Sequence, residues 1–383
     1  MQNSAVQNKI YFKNLDILRF IAVFLVLIAH AYEGWCGWYG IPGFMTVNED
    51  FKNLTFFGQY LDTAIKNGGF GVDVFFLISG FLITFILLKE KEVTGRINIL
   101  KFFIRRAFRI WPVYFLMILL TPWFVYLTNA STPDYLPNIL FYNNFHAIKI
   151  KEWQYPFAHL WSICVEEHFY VIWPFIIYFV NYKYLKKTFL LIIFISLFSR
   201  VLFFIYKYDN LYIYLHTLSR IDVLILGAFY AIYFKENGFN IKTSKFSRII
   251  IYLVFILVYL LEPVYLNETL YTAAVKKYFY CGIIGFAMIN FLFNPNPLFK
   301  IPFQKLLNYL GKISYSIYIF SNVLIPIIVI QIMWRFNIQN MYIFFALNII
   351  LSIVISLIVY ELFEKQILKF KKRFEIIKTT RIE

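Results

Sequence analysis

The chain has 383 residues, of which 61% are hydrophobic, 22% are aromatic and only 15% are charged. A soluble domain of this size carries more charge and fewer aromatic residues, so the composition excludes one and predicts a polytopic membrane protein. The net charge of +16 does not indicate a nucleic-acid partner, because its lysines and arginines lie between apolar runs and suit loops beside anionic membrane lipids. Cys36, Cys164 and Cys281 have neither disulfide nor metal-ligand spacing, so no metal site is predicted.

Apolar runs near 20 residues long, enough to cross a bilayer as a helix, recur along the chain. They predict an all-α fold, a polytopic membrane helix bundle with about ten transmembrane helices. The predicted spans lie near residues 15–34, 69–88, 108–128, 159–180, 188–206, 217–235, 249–261, 273–293, 307–334 and 342–363.

The distribution of basic residues predicts the topology of these spans. Lysines and arginines concentrate in every second connecting segment, which by the positive-inside rule faces the cytoplasm. With an even number of spans, both the N- and the C-terminus are expected in the cytoplasm. Residues 1–364 are expected to form the transmembrane domain and 365–383 a basic cytoplasmic tail. The outward segments 35–68 and 129–158 are rich in aromatic residues, which form either an interfacial belt or a platform for sugar rings.

The first span carries two ionisable side chains on one face. Arg19 and His30 are eleven residues apart, which corresponds to about three helical turns and about 16 Å. Ionisable groups inside a bilayer usually face the bundle interior or a watery cavity and mark a functional pathway. The functional interpretation is favoured for His30, and the alternative is a histidine that only donates a hydrogen bond to a neighbouring helix.

The second and third spans add a carboxylate and an arginine cluster. Asp73 lies at the outer end of span two, where an intramembrane carboxylate needs a partner. Gly71 and Gly80 on the same span are explained by close helix packing. Arg106 and Arg109 share a face at the inner end of span three, and arginine favours fork-like contacts to phosphate. A basic collar at the membrane surface is the alternative.

The fourth span has the densest group of polar side chains. Glu166 and Glu167 point in different directions on a helix, so at least one of them faces protein or water, and both lie within about one turn of Tyr170. A salt-bridged structural pair and an acid–base role both stay open. In the sixth span, Arg220 lies near the outer end, where an ion pair with Asp73 or with a glutamate is the simpler explanation.

Six stretches together resemble the membrane acyltransferase-3 family, in the right order and over nearly the whole hydrophobic chain. The order and spacing of the stretches make the resemblance specific, whereas each stretch by itself is a weak signal. They are LDILRFIAVFLVLIAH at 15–30, GVDVFFLISGFLIT at 71–84, RRAFRIWPVYFL at 105–116, HLWSICVEEHFYVIWP at 159–174, SRIDVLILGAFYA at 219–231 and LGKISYSIYIF at 310–320.

The resemblance implies a multi-pass enzyme of the bacterial inner (cytoplasmic) membrane. Such enzymes transfer an acyl group, most often acetyl, from a cytoplasmic acyl-CoA to a sugar hydroxyl of an envelope glycan or lipid-linked saccharide. Acetyl-CoA would then be the donor substrate, and no metal is implied. By position, Arg19 and His30 correspond to the family's first-helix pair, and Arg106 and Arg109 correspond to its basic motif. Glu167 and Tyr170 correspond to its ExxY-type motif.

These residues predict a cavity with a basic cytoplasmic end and a catalytic outer end. The imidazole would act as general base or carry the acyl group, and an acidic neighbour would orient it. The predicted catalytic residues are His30, Glu167, Asp73 and Tyr170, the donor-binding residues are Arg19, Arg106 and Arg109, and the acceptor-binding residues are Arg220 and Glu166. A transporter or flippase for a glycolipid or small metabolite is the alternative, since it would also need buried charges and outward aromatic loops.

Overall fold

A computed structural model describes residues 12, 14–38, 56–128, 131–238, 243–261, 269–294, 298, 300–322 and 324–376. All regular secondary structure in these residues is helical, which confirms the all-α prediction. Both chain termini lie outside the described residues, so the predicted cytoplasmic location of the termini stays a prediction.

The described residues up to Leu215 form nine α-helices. They are α1 (Leu15–Trp38), α2 (Phe56–Lys66), α3 (Phe70–Thr94), α4 (Ile99–Thr128), α5 (Leu136–Ile139), α6 (Asn143–Ile150), α7 (Trp161–Phe179), α8 (Tyr182–Ile205) and α9 (Asn210–Leu215). The second half contributes α10 (Thr217–Asn237), α11 (Lys245–Leu261), α12 (Lys276–Phe293), α13 (Gln304–Lys312), α14 (Ser314–Ser321), α15 (Leu324–Arg335), α16 (Met341–Val359) and α17 (Lys365–Lys371).

The number of membrane-spanning helices is smaller than the sequence predicts. In the described residues seven helical stretches are long and apolar enough to cross a membrane, or eight if α14 and α15, bent by 54°, form one span. The prediction of about ten is therefore not confirmed. Helices α11 and α12 do coincide with predicted spans, but α11 has only 17 residues and α12 opens with Lys276 and Lys277. The predicted span 307–334 is divided among α13, α14 and α15.

Helices α1, α3 and α10 form the centre of the bundle, and glycines set their spacing. A Cβ atom on Gly80 of α3 would strike the carbonyl oxygen of Leu224 on α10, and one on Gly227 of α10 would strike that of Leu77. A Cβ atom on Gly71 would meet the α1 backbone in the same way. The predicted role of Gly71 and Gly80 in close helix packing is confirmed, because only a residue without a side chain allows the backbones to approach this closely.

The predicted boundary at residue 364 lies inside a continuous helical stretch. After α16, a π-helical turn over Tyr360–Glu364 leads directly into α17 and then into a 3₁₀ turn over Lys372–Phe374. The carbonyl oxygen of Phe374 accepts a hydrogen bond of 3.1 Å from Arg105. The first part of the predicted basic tail therefore packs against the inner end of α4.

Candidate active site

Arg106 of α4 is a half-buried arginine whose guanidinium points toward α7 and whose Nε atom is enclosed. Its Cζ lies 6.0 Å from the ring centre of Tyr170 and 5.9 Å from that of Phe102, within the range of cation–π attraction. Among the described residues Arg106 has no carboxylate within ion-pair distance, and its Nε has no hydrogen-bond partner. A partly buried cation without a paired anion is costly, which makes Arg106 a candidate ligand for an anionic group.

Glu166 of α7 is the nearest fixed polar group to this arginine. It accepts hydrogen bonds from the hydroxyl groups of Ser79 at 2.7 Å and Tyr170 at 3.1 Å. Arg106 and Arg19 both act electrostatically on this carboxylate. We call these five residues the Arg106 cluster, and it joins α1, α3, α4 and α7 at one level of the bundle.

Arg19 and Glu167 lie beside the centre of this cluster with partners of their own. The guanidinium of Arg19 forms a 3.2 Å ion pair with Asp16, one turn earlier on α1. The Oε2 atom of Glu167 is 3.4 Å from the indole nitrogen of Trp111, while its Oε1 atom is buried and has no hydrogen-bond partner among the described residues. Four of the predicted site residues on α4 and α7 thus come together with Arg19, namely Arg106, Glu166, Glu167 and Tyr170. Glu166, predicted to bind the acceptor, lies beside the arginines that were predicted to bind the donor.

His30 lies three turns further along α1, and its ring orientation is fixed. The Nδ1 atom is 2.8 Å from the carbonyl oxygen of Val26. Because a carbonyl only accepts hydrogen bonds, Nδ1 carries the hydrogen and Nε2 keeps the lone pair of the neutral ring. Glu33, three residues later on the same helix, and His159 both lie within electrostatic range of His30. Arg19 acts on Glu166 of α7 and His30 acts on His159 just before α7, which agrees with the predicted common face of the two residues.

Asp73 and Arg220, predicted to serve catalysis and acceptor binding, are brought together as a pair of their own. The guanidinium of Arg220 donates to Asp73 at 2.8 Å, and the two side chains are only 6% and 3% exposed. Arg220 also lies over the rings of Phe76, Trp161 and Tyr214. The ion pair corresponds to the simpler alternative stated for Arg220, and it directs the Asp73 carboxylate toward α10 instead of toward His30.

Arg109, predicted to bind donor phosphate, is already paired. It forms a 3.0 Å ion pair with Glu364, and the other oxygen of this carboxylate accepts from Ser316 at 2.7 Å. Its neighbour Arg105 is paired in the same way, with Glu90 at 2.9 Å. Of the three arginines at the inner end of α4, Arg106 is the one whose charge the described carboxylates leave without an ion pair.

Sequence reasoning missed four contributors to these sites. Ser79 was given no site role, although it holds Glu166, and Glu364 gave no local signal because it lies 255 residues from Arg109. Glu33 had a usable signal, since a carboxylate three residues after a histidine shares its helix face. His159 was given no site role either. In the part of the chain that the structure describes, no group of three or more histidine, cysteine or acidic side chains is placed to hold a metal ion.

Several helices are apolar and long enough to span a membrane, and they surround ionisable side chains near the Arg106 cluster and near His30. These features define a multi-pass membrane protein with an internal polar site. The family described as "Acyltransferase domain" matches residues 12–361. The chain therefore belongs to this acyltransferase family, as its sequence motifs predicted.

Comparison with individual proteins gives related acetyltransferases. The O-acetyltransferase OatA of Staphylococcus aureus strain NCTC 8325 is 29% identical over 335 residues, which cover 81% of this chain and 54% of that protein. OatA of strain N315 matches to the same extent. The chain thus spans about half the length of the relatives it matches. No solved structure matches it.

Proposed function

We propose that the protein is an integral membrane O-acyltransferase that moves an acetyl group from cytoplasmic acetyl-CoA to a sugar hydroxyl of a cell-surface or exported polysaccharide. The single observation that carries this proposal is the His30 ring, whose Nδ1 is held by the carbonyl of Val26 so that Nε2 keeps the lone pair of the neutral ring. Family membership and the likeness to OatA support the reaction class. The same proposal places the protein in the bacterial inner membrane.

In the proposed reaction, His30 is the general base. Its Nε2 takes the proton of the sugar hydroxyl as the hydroxyl oxygen attacks the thioester carbonyl. The new C–O bond forms, the C–S bond breaks, and coenzyme A leaves as a thiolate that takes the proton back from the imidazolium. The carbonyl of Val26 fixes the tautomer, and the nearby charge of Glu33 stabilises the imidazolium, which is the part the acidic member of a triad plays.

The Arg106 cluster is the proposed donor site. The phosphates of coenzyme A need cationic ligands, and Arg106 offers a half-buried guanidinium with which no described carboxylate forms an ion pair, with Arg19 beside it. Arg109 contributes less to this role because Glu364 already neutralises it. The hydroxyl of Tyr170, which donates to Glu166 within the cluster, is the proposed donor to the developing oxyanion.

Replacement of His30 tests the proposal. His30→Ala is expected to insert into the membrane normally and to lower acetyl transfer by about 10²–10⁴-fold, the usual contribution of a general base. His146→Ala on α6 is the matched control, because its imidazole lies outside both proposed sites. The measurement is coenzyme A release by membranes, together with mass spectrometry of O-acetyl groups on the envelope glycan of the expressing cells.

Two outcomes would contradict this function. Near-normal acetyl transfer by His30→Ala would remove the histidine from the reaction. Uptake of a glycolipid or metabolite into vesicles that contain the protein, with no requirement for acetyl-CoA and no coenzyme A release, would identify a transporter or flippase instead.

A further inference from the structure

His159 presents a buried hydrogen-bond acceptor that the proposed mechanism does not use. It lies in the short helical turn before α7, and its Nε2 is 3.0 Å from the carbonyl oxygen of Ile319 on α14. Nε2 therefore carries the hydrogen, and Nδ1 holds the lone pair of the neutral ring. The residue is 2% exposed, and Nδ1 has no hydrogen-bond partner in the described residues.

The position of this ring is set by several contacts. The hydroxyl of Tyr318 donates to the carbonyl oxygen of His159 at 2.9 Å and lies 2.6 Å from the hydroxyl oxygen of Ser162. The rings of His159 and Tyr318 meet edge to face with centres 5.6 Å apart. The lone pair of Nδ1 is thus preorganised, which is the property of a group that positions a ligand.

Asn322, directly after α14, supplies a matching donor. Its Oδ1 accepts from Ser321 at 3.2 Å, while Nδ2 is buried and has no hydrogen-bond partner among the described residues. Asn322 is 4% exposed and follows Ile319, which anchors the His159 ring, by three residues. An unfilled acceptor and an unfilled donor therefore belong to the same part of the bundle.

Contacts between helices bring both groups near the part of α1 that carries His30. Helix α1 packs against α14 and α15, and a Cβ atom on Gly34 of α1 would lie 3.4 Å from the Cβ of Pro326 on α15. His30 lies about one turn before Gly34, and Asn322 lies at the bend between α14 and α15, four residues before Pro326. His159 interacts electrostatically with His30. The three side chains therefore belong to one region of the bundle, where α1 meets α14 and α15.

We propose that His159 and Asn322 form an acceptor subsite, which binds an uncharged sugar substituent beside the hydroxyl group that His30 deprotonates. The inference rests on the proposed function. Nδ1 of His159 can accept a hydrogen bond and Nδ2 of Asn322 can donate one, and both side chains are taken as uncharged. They therefore match a neutral sugar substituent that can both donate and accept a hydrogen bond, such as a hydroxyl or an acetamido group. A site that leaves buried polar groups unfilled without its ligand discriminates strongly against analogues that lack the matching group.

Two substitutions change one partner each. His159→Gln keeps an amide nitrogen for the carbonyl of Ile319 and moves the acceptor from the Nδ1 position to the amide oxygen. Asn322→Leu keeps the size of the side chain and removes the donor. Ser321→Ala is the control, because it removes a hydroxyl next to Asn322 but leaves Nδ2 in place. The assay is acetyl transfer from radiolabelled acetyl-CoA in isolated membranes, and the acceptor probe is envelope glycan from the expressing bacterium after removal of O-acetyl groups by mild base.

The expected result is a change in the KM for the glycan and not in the KM for acetyl-CoA. Both variants should raise the KM for glycan roughly tenfold, the factor that one hydrogen bond supplies, and leave the KM for acetyl-CoA within about twofold. Ser321→Ala should leave both constants unchanged. If the tenfold effect disappears on glycan whose N-acetyl groups have also been removed, the bound substituent is an acetamido group, and if it persists the substituent is a hydroxyl.

Other results overturn the subsite. If the wild type transfers acetyl and both variants keep its KM for glycan, the subsite is wrong while the proposed function stands. An equal rise of both KM values in both variants would assign the two residues a structural role. If the wild type transfers no acetyl to the glycan, the proposed function fails, and the subsite fails with it. Thermal midpoints in detergent are measured for both variants, so that only folded proteins are compared. Because Asn322→Leu also removes the acceptor of the Ser321 hydroxyl, the double variant Ser321→Ala/Asn322→Leu is measured as well, since it leaves no buried hydroxyl without its partner.

Discussion

The contrast between two neighbouring arginines of α4 gives the sharpest test of the donor site. Arg106 is half-buried and has no ion pair in the described part of the chain, whereas Arg109 is paired with Glu364 at 3.0 Å. Arg106→Met keeps the length and the apolar stem of the side chain and removes the charge. We expect Arg106→Met to lower the use of acetyl-CoA with little loss of stability. Arg109→Met should lower stability with little effect on the use of acetyl-CoA.

The structure sets the size of both effects. A charge-assisted hydrogen bond is worth about 1.5–3 kcal/mol, so loss of one phosphate contact at Arg106 lowers kcat/KM for acetyl-CoA roughly 10- to 100-fold. Arg109→Met leaves the carboxylate of Glu364, whose side chain is 2% exposed, without its cation. Breaking a buried pair in this way costs about 3–5 kcal/mol of stability. The double variant Arg109→Met/Glu364→Gln should recover most of it.

Two measurements decide the matter: kcat/KM for acetyl-CoA from coenzyme A release, and the thermal midpoint of the protein in detergent. The donor site requires that Arg106→Met lose activity at a nearly normal midpoint. If Arg106→Met kept its donor kcat/KM within about twofold while folded Arg109→Met lost it, the assignment of the donor site to Arg106 would be refuted.

Two further predictions concern the packing of the bundle. Asp222→Asn removes the buried anion that lies 2.6 Å from Arg200 and 3.2 Å from Lys277. The thermal midpoint should therefore fall by the equivalent of about 3–5 kcal/mol. The control is Lys186→Gln, at an exposed pair with Glu236, which should change stability by less than about 1 kcal/mol. Equal effects of the two variants on stability would contradict this reasoning. Gly80→Ala forces a Cβ atom into the carbonyl of Leu224, whereas a Cβ atom at the control position, Gly282→Ala, meets nothing within 4 Å. The yield of folded protein in membranes should fall only for Gly80→Ala. A normal yield of Gly80→Ala would show that α3 and α10 can separate at no cost in stability.

Much of the candidate site was accessible from local sequence patterns. Helical periodicity predicted that Arg19 and His30 project from one face, and both have neighbours from the α7 region in the structure. Ionisable residues are so costly in apolar spans that their presence alone marks interior positions. The same argument predicted that Asp73 needs a partner, and Arg220 is that partner.

Local sequence patterns did not show which of the arginines of α4 form ion pairs, or with which carboxylates. Arg105, Arg106 and Arg109 have the same chemistry, and only their contacts with Glu90 and Glu364 separate two structural pairs from one unpaired cation. These carboxylates lie 15 and 255 residues from the arginines they neutralise. No local pattern carries that information, because ion pairing depends on which helices become neighbours.

The sequence by itself therefore determined the helical class, the apolar spans, the family and the faces that carry charge, since each follows from composition, periodicity or motif order within one segment. The tertiary structure decided which arginine stays unpaired, which tautomer His30 adopts and which buried polar atoms of His159 and Asn322 have no partner. These properties arise from contacts between helices, and their energies depend on burial, which is fixed only when the bundle is assembled.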